Sequence, residues 1–464
     1  MPILKKTMFR EYDMRGREAD DELNDESMYH VGRGFGTFLI KRGVTEAVVG
    51  HDARATSESF HANVIKGLIE CGVNVIDIGI ITTPMGYWAQ YYLKVKGLVT
   101  VTASHNPVGW NGVKLGSDLS YTLLTDDLQE VYNIIAKEDY VNGKGTIKKE
   151  NILEAYMKDL LSRTKITKKF KILINTGNGT AGIVEPEIFR RAGCEVIEHF
   201  TNIDPTYPNY TANPDGTAMM EDTGEQTVAN ECDLGFAFDK DEDRLGLVDE
   251  KGQTIWPDRY IILLGRLVLS KEPGAKIIFD VKVSEALPED IRAHGGTPIM
   301  WKTGHSHIKA KMLEEKAAMA GEMSGHVFFK QDFYGFDDAT FAALKLLEYL
   351  SAQEESLSGV IATTPYYVST PTIQVKATDE DKYEVVKELT EEFKKDNYKV
   401  IDINGARVYT RNGWGLVRAS SNTPTLVLRF EAKTQEDLEK IQKIFKDKLD
   451  KFPVVSKEWD SSGH

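Results

Sequence analysis

The chain has 464 residues and a formal net charge of −14, from 57 Lys and Arg against 71 Asp and Glu. This length exceeds what one hydrophobic core supports and predicts three or four domains. The acidic balance does not favour a nucleic-acid-binding surface, although it leaves room for a basic pocket that binds a small phosphorylated ligand. The first residues lack the apolar core of a signal peptide, and Arg266 interrupts the longest apolar run, Tyr260–Leu269. We therefore expect a cytoplasmic protein that does not enter a membrane.

Three successive stretches of the chain repeat one pattern, in which an apolar strand leads into a helix that stops at a glycine, and a second strand follows. The strand pairs are predicted at 47–50 and 73–76, at 171–174 and 194–197, and at 276–280 and 297–300. Such short connections predict right-handed crossovers and a mainly parallel sheet in each unit.

Each unit then supplies one further strand that ends in a polar loop. The loops begin at Ser104 in the first unit and cover 239–244 in the second and 321–326 in the third. Ligands bind beyond the carboxyl ends of the strands in open parallel sheets. Because the three loops stand at the same stage of three repeats, we expect them to face one cleft.

The segment from about Pro371 onward alternates short strands with two helices and predicts an α+β unit with a mostly antiparallel sheet. The predicted fold is α/β, with three similar domains of mixed, mainly parallel sheets followed by a smaller α+β C-terminal domain, all around one central cleft. We place the domains at 1–150, 151–256, 257–368 and 369–464.

Ser104 follows the β-branched run 98–102 and precedes Asn106-Pro107, which end the strand. This position puts a hydroxyl nucleophile at a strand end that we expect to face solvent. A turn or helix-capping serine is the alternative interpretation. A serine hydrolase is disfavoured, because Thr102 and Asn106 stand where the nucleophile elbow Gly-x-Ser-x-Gly requires glycine.

The acidic loop, residues 239–244, carries Asp239, Asp241 and Asp243 at alternate positions. Three carboxylates in a short loop can converge on one hard cation, and Mg²⁺ is the natural choice where phosphate is also present. A calcium-binding EF-hand would use Glu250 as its bidentate ligand, but Arg244 occupies the glycine position and the flanks are predicted strands. A merely solvated acidic turn is the third possibility.

Together these motifs resemble the α-D-phosphohexomutases, most closely the phosphomannomutase/phosphoglucomutase group. The resemblance covers essentially the whole chain and rests on seven motifs in order, at 9–16, 102–107, 111–114, 239–244, 302–305, 321–326 and 418–424. It implies reversible phosphoryl transfer between C1 and C6 of mannose and glucose phosphates, through a phosphoserine and a 1,6-bisphosphate. The alternatives are a phosphoglucosamine mutase, a metal-dependent sugar phosphatase or an inactive sugar-phosphate sensor.

The resemblance also implies roles for individual residues. Ser104 would carry the phosphoryl group and, with the three aspartates, bind Mg²⁺, while His105 and Arg244 lie beside it. Lys114, His305 and Arg15 would be catalytic, and the choice between Lys114, His305 and the phosphate itself as the proton acceptor stays open. A surface lysine and a core histidine are the alternatives for Lys114 and His305. The substrate would contact Tyr12, Glu322, Ser324, His326, Arg418, Ser420, Ser421, Asn422 and Thr423.

The same resemblance implies hexose phosphates as ligands and glucose or mannose 1,6-bisphosphate as activator, in a monomer or dimer. Three positions depart from the family pattern. Lys240 replaces a glycine, the Ser-Asn-Thr of the phosphate loop (residues 418–424) comes one place late, and Tyr210-Thr211 replaces His-His. For Lys240 we expect either an ordinary negative φ or a strained loop. We expect its ammonium group to contact the ligand's phosphates, and a side chain pointing into water is the alternative.

Overall fold

Four β-sheets follow one another along the chain in the computed structural model, which describes residues 4–420 and 423–459. Ser421 and Asn422, two of the predicted substrate ligands, lie outside the described residues. The first three sheets are mixed and the fourth is antiparallel, as the sequence predicts. Among the described helices, none has the length and apolar character needed to cross a bilayer.

The first sheet has seven strands in the order β1-β5-β4-β2-β3-β7, with β6 attached to β5. Strands β4, β2, β3 and β7 run parallel, whereas β5 is antiparallel to both β4 and β1. The elements are β1 (Met14–Arg17), α1 (Asp25–Lys41), β2 (Glu46–His51), α2 (Ser57–Glu70), β3 (Asn74–Ile80), α3 (Thr83–Leu93), β4 (Gly97–Val101), β5 (Trp110–Asp118), β6 (Tyr121–Thr122), α4 (Thr125–Ala136) and β7 (Ile147–Lys149).

The second and third sheets each have four strands, in the orders β11-β10-β8-β9 and β13-β12-β14-β15. The second unit contains α5 (Leu153–Ser162), β8 (Lys171–Asn175), α6 (Glu185–Arg191), β9 (Glu195–His199), α7 (Thr217–Ala229), β10 (Leu234–Phe238) and β11 (Leu245–Asp249). The third contains α8 (Pro257–Lys271), β12 (Lys276–Asp280), α9 (Ala286–Ala293), β13 (Thr297–Trp301), α10 (His305–Glu315), β14 (Met319–Gly321), β15 (Val327–Phe329), α11 (Ala339–Leu350) and α12 (Leu357–Ile361).

The three predicted polar loops are the turns at which these sheets change direction. In each unit a strand parallel to its neighbour ends, and the chain returns antiparallel beside it: β4 to β5, β10 to β11 and β14 to β15. The loops are therefore equivalent in topology, which agrees with the predicted equivalence of the three repeats. The register of the two strands determines which side chains lie beside the turn: Lys114 on β5 is opposite Thr100 on β4.

The fourth sheet is antiparallel throughout, with β16-β21-β20-β19-β18 in order and β17 attached to β21. Its elements are β16 (Val368–Ser369), β17 (Ile373–Lys376), α13 (Lys382–Lys395), β18 (Lys399–Ile401), β19 (Ala406–Tyr409), β20 (Gly413–Ala419), β21 (Thr425–Ala432) and α14 (Gln435–Leu449). The phosphate loop is the reversal between β20 and β21. The proposed boundary between residues 368 and 369 falls inside β16.

One continuous apolar core links the first three units, whereas the fourth has a core of its own. Val48 of the first sheet, Phe236 of the second and Ile277 of the third belong to the same buried cluster. The fourth core, built around Leu428 and Phe430, is separate. The first three units therefore form one body to which the fourth is attached.

Two buried arginines make much of that attachment. Arg429 donates hydrogen bonds to the Asp258 carboxylate at 2.7 Å and to the Lys282 carbonyl at 2.5 Å. Arg407 donates to the carbonyls of Val281 and Val283, at 2.7 and 2.8 Å. Both arginines thus hold the segment that follows β12.

We expect Arg429→Met to destabilise the attachment of the fourth domain by about 3–5 kcal/mol, because it leaves the buried Asp258 carboxylate without its cation. The double variant Arg429→Met/Asp258→Asn should recover a large part of that loss, since no unpaired charge remains. Calorimetric unfolding of both proteins measures the difference. If the double variant were as unstable as the single one, the loss of stability would not come from the unpaired Asp258 carboxylate.

Candidate active site

A cleft of about 750 Å³ opens where the four domains meet. Each domain contributes side chains to its wall, and the predicted residues among them are Tyr12, Arg15, Ser104, His105, Lys114, Asp243, Arg244, His305, Glu322, Ser324, His326, Arg418, Ser420 and Thr423. Tyr210 and Thr211, which replace the family's His-His, also line it. The structure thus brings together nearly all the side chains that the sequence predicts for one site.

Ser104 lies in the Ser104 turn, residues 102–109, between β4 and β5. Its amide donates to Thr102 Oγ1 at 2.9 Å, and its backbone takes the left-handed conformation with φ of 50°. The hydroxyl is 3.3 Å from Asp239 Oδ2 and 3.2 Å from His105 Nδ1. The expectation of a solvent-facing hydroxyl is wrong, because Ser104 is only 1% exposed at the floor of the cleft. Asp239, in the acidic loop of the second domain, packs beside it.

The three aspartates of the acidic loop converge below Ser104. They are buried, and one oxygen of each lies within 4.8 Å of the others. Asp241 Oδ1 and Asp243 Oδ1 find no hydrogen-bond partner among the described residues. Burial and the two neighbouring carboxylates raise the pKa of Asp239 well above its ordinary value. Buried, mutually repelling oxygens with unused lone pairs are a donor set that fits a divalent cation.

The two alternatives for this loop are wrong. A solvated turn is excluded because Asp239, Asp241 and Asp243 are at most 1% exposed. An EF-hand is excluded because its loop joins two helices, whereas this loop joins strands β10 and β11. Glu250, its supposed bidentate ligand, instead accepts hydrogen bonds from Ser356 and Ser358, at 2.7 and 2.5 Å.

Lys114 reaches the acidic loop from β5. Its ammonium donates to Asp241 Oδ2 at 2.9 Å and to Asp243 Oδ2 at 2.5 Å. Burial alone would lower the pKa of Lys114, but these two carboxylates outweigh it and raise the pKa well above its ordinary value. The interpretation as a surface lysine is wrong, since the side chain is buried, charged and at the floor of the cleft.

The two histidines of the third domain have opposite electrostatic environments. Burial and the positive charge of Lys309 hold the pKa of His305 well below its ordinary value, and its Nε2 has no hydrogen-bond partner among the described residues. Burial also lowers the pKa of His326, but Asp243 and Asp337 outweigh it and raise the pKa. Nδ1 of His326 lies 3.0 Å from Asp337. At neutral pH His305 is therefore the uncharged imidazole of the pair.

The cleft wall formed by the third and fourth domains carries an acidic residue, Glu322, and a basic residue, Arg418. One oxygen of the buried Glu322 accepts the Gly304 amide at 2.5 Å, while its Oε2 has no hydrogen-bond partner within the described part of the chain. Ser420 Oγ accepts from the amide and hydroxyl of Thr423, at 3.2 and 2.9 Å. Arg418, on β20, lines the same wall.

Four family models match the chain, one for each sheet. They are described as phosphoglucomutase/phosphomannomutase alpha/beta/alpha domains I, II and III, at residues 6–142, 154–252 and 256–367, and the C-terminal domain, at 373–448. The chain belongs to the phosphoglucomutase/phosphomannomutase family.

Family relatives match over nearly their whole length. A phosphomannomutase/phosphoglucomutase of Pseudomonas syringae pv. tomato is 40% identical, covering 97% of this chain and 96% of that protein. A phosphoglucomutase of Neisseria gonorrhoeae is 37% identical over 98% and 99% of the two chains. The crystal structure of a phosphoglucomutase/phosphomannomutase family protein from Burkholderia thailandensis superposes with a TM-score of 0.91, at 36% identity over 97% and 98% of the chains.

Within this family fold, Arg54 is a site residue that the sequence analysis missed. Its guanidinium donates to the carbonyls of Ser104, Asn106, Pro107 and Trp110, at 2.5–3.1 Å, and lies 3.2 Å from the Asp52 carboxylate. Asp52 and Arg54 follow strand β2, the parallel neighbour of β4. Extending the search for polar strand ends to the first strand of each repeat would have found them.

Lys240 departs from both expectations for its side chain. It is completely buried, and its ammonium donates to the Asn106 carbonyl at 2.8 Å while lying 3.9 Å from the centre of the Tyr207 ring. Among the described residues that line the cleft, Lys240 is absent. The predicted ligand contact and the water-exposed alternative are therefore both wrong. The expected negative φ is confirmed.

We expect Asp239→Asn to raise the melting temperature of the metal-free protein, because it removes one of three buried, repelling carboxylates. The same variant should lose the stabilisation that Mg²⁺ gives the wild type, about 2.7 kcal/mol at a hundred times Kd. Asp249→Asn is the matched control, since Asp249 is a buried aspartate whose side chain accepts only nearby backbone amides of its own turn. Wild-type Mg²⁺ binding by Asp239→Asn in calorimetric titration would contradict the site.

Proposed function

We propose that this protein is a phosphohexomutase that moves a phosphoryl group between C1 and C6 of glucose and mannose phosphates, with Ser104 as the covalent carrier. The observation that carries the proposal is the floor of the cleft. There a hydroxyl lies 3.3 Å from a cluster of carboxylates and an ammonium group is bonded to two of them. The names of the relatives support the same reaction, and we place the enzyme in the cytoplasm.

Asp239, Asp241 and Asp243, together with the phosphorylated Ser104, would hold Mg²⁺. The ion supplies neutralisation of the charge on the transferring phosphoryl group. The chain's own cations add to this, because Lys114 is buried beside the site and the partly buried Arg15 stays charged against Asp13 at 2.7 Å. Phosphoryl transfer depends mainly on such positioning and charge compensation.

Transfer from phosphorylated Ser104 breaks its O–P bond and forms a new one to a sugar hydroxyl, which must release a proton. We assign acceptance of that proton to His305, since its imidazole is neutral and its buried Nε2 has no hydrogen-bond partner among the described residues. Lys114, charged and bonded to two carboxylates, acts as a hydrogen-bond donor instead. The product is a hexose 1,6-bisphosphate, and a trace of this compound serves as activator.

The second half of the cycle returns the opposite phosphate to the Ser104 oxygen, so the sugar must bind in two orientations. Glu322 and Ser324 hold its hydroxyls. Arg418, Ser420 and Thr423, with Ser421 and Asn422, grip the phosphate that is not reacting. Because the phosphate loop belongs to the separately built fourth domain, that domain can close over either orientation and exclude water.

Incubating the pure protein with glucose 1-phosphate, Mg²⁺ and a trace of glucose 1,6-bisphosphate tests the proposal. A mutase produces glucose 6-phosphate. A phosphatase releases inorganic phosphate, and a sensor produces neither; either result would overturn the proposal. The same assay with glucosamine 6-phosphate measures the remaining alternative, a phosphoglucosamine mutase.

We expect Ser104→Ala to abolish steady turnover and the phosphate adduct seen by intact-mass analysis, since the oxygen that carries the phosphoryl group is gone. Ser120→Ala is a matched control. Ser120 is also a buried serine in the left-handed conformation of the first domain, with φ of 55°, and its hydroxyl bonds to Tyr91 at 2.8 Å. Its variant should keep both turnover and adduct. Full activity of Ser104→Ala would contradict the covalent mechanism.

We expect glucose and mannose phosphates both to be accepted. These epimers differ in the direction of one hydroxyl at C2, which a site that grips O3 and O4 through Glu322 and Ser324 does not contact. The comparison of kcat/KM for the two 1-phosphates measures this. A preference above about a thousandfold exceeds what one uncontacted hydroxyl gives and would show that the C2 position is recognised directly.

A further inference from the structure

The backbone of the Ser104 turn is held by buried side chains that are outside the described lining of the cleft. A non-glycine residue in the left-handed conformation, such as Ser104, persists only where its surroundings stabilise it. Arg54 supplies four of the stabilising contacts, to the carbonyls of Ser104, Asn106 and Pro107 in the turn and of Trp110 at the start of β5. All of them come from within the first domain.

Lys240 adds a contact that crosses between domains. Its backbone is part of the acidic loop, between Asp239 and Asp241, while its ammonium bonds to the Asn106 carbonyl in the Ser104 turn at 2.8 Å. The same carbonyl accepts from Arg54 at 2.7 Å. On the other side of Asn106, its side-chain oxygen accepts from Arg15 of the cleft at 2.7 Å. Asn106 is thus held by three basic side chains.

The surroundings of Lys240 allow little movement. The side chain is completely buried, and Tyr207 packs over the ammonium at 3.9 Å while also lying 5.9 Å from the Arg54 guanidinium. The carbonyl of Lys240 accepts from the Thr180 amide at 2.8 Å, which anchors the other end of the residue to the second domain. A glycine here, as in the family pattern, provides no such cross-link.

We infer that Lys240 is a positioning residue that ties the acidic loop to the Ser104 turn and so fixes the distance between the Ser104 oxygen and the carboxylates. The inference rests on the proposed function for its effect on rate. The contact between the acidic loop and the Ser104 turn does not depend on that function, because it is made without substrate. The Lys240 side chain is outside the described lining of the cleft and contacts Asn106 and Tyr207.

Lys240→Met tests the inference, because methionine retains most of the buried stem and removes the hydrogen bond. Lys345→Met is the matched control. Lys345, on α11 and outside the described lining of the cleft, is also a buried lysine whose ammonium donates to a backbone carbonyl, that of Arg163 at 2.6 Å. It also donates to the Glu348 carboxylate at 2.9 Å, so its variant loses at least as much local bonding. Both variants lose a buried lysine's bond to a backbone carbonyl, but only Lys240→Met loses the link between the loops.

For Lys240→Met we expect kcat to fall about tenfold, within the hundredfold that a 1 Å misplacement can cost. The KM for glucose 1-phosphate should change less than twofold. Amide hydrogen exchange, measured without substrate, should accelerate in the Ser104 turn. Lys345→Met should keep kcat and the exchange rates of that turn. Tyr207→Leu, which removes only the covering ring, should show the same pattern to a smaller degree and replaces Lys240→Met if that variant does not fold.

Unchanged exchange in the Ser104 turn of Lys240→Met would overturn the inference, as would a raised KM with unchanged kcat, which indicates a ligand contact. A profile identical to that of Lys345→Met would overturn it too, because it would show only a general loss of stability. Failure of the proposed function has a different signature: the wild type would not interconvert the two glucose phosphates, whatever the exchange rates of the variants.

Discussion

The site depends on the burial of three like charges next to one another. Asp239, Asp241 and Asp243 repel, and their removal from water makes the repulsion stronger. Lys114 compensates two of them, which is why its ammonium stays charged despite complete burial. The remaining excess of negative charge gives this floor a donor set that fits a divalent cation. The negative charge of these carboxylates also acts on the neighbouring arginines Arg15 and Arg244.

The strand reversals that bring these charges together could be predicted from the sequence, because they leave local signals. Alternation of apolar strands with helices ending at glycine gives three repeats, and in each a polar motif interrupts the chain after a further strand. The motifs at Ser104 and Asp239 could thus be assigned to one cleft before the structure was known. The fourth unit could likewise be separated by its change of pattern.

What could not be predicted depends on contacts between distant segments. Ser104 reads as a solvent-facing strand end, yet Asp239, 135 residues later, packs beside it. Lys240 reads as a ligand contact or a solvated side chain, because nothing local shows that Tyr207 and the Asn106 carbonyl form a closed site for its ammonium. Arg54 could be located as a polar residue after a strand, but its role could not, because its four acceptors are backbone carbonyls, which have no residue identity and leave no motif.

The continuous core of the first three domains determines which parts of the enzyme and its substrate can move during the catalytic cycle. Strands from all three sheets share one packed interior, and packed interiors deform little. Ser104, the acidic loop and Glu322 are therefore fixed relative to one another. Because these groups do not move, reaction at both C1 and C6 requires the sugar to turn over within the cleft. Only the fourth domain, with an interior of its own, has the independence to let the intermediate turn.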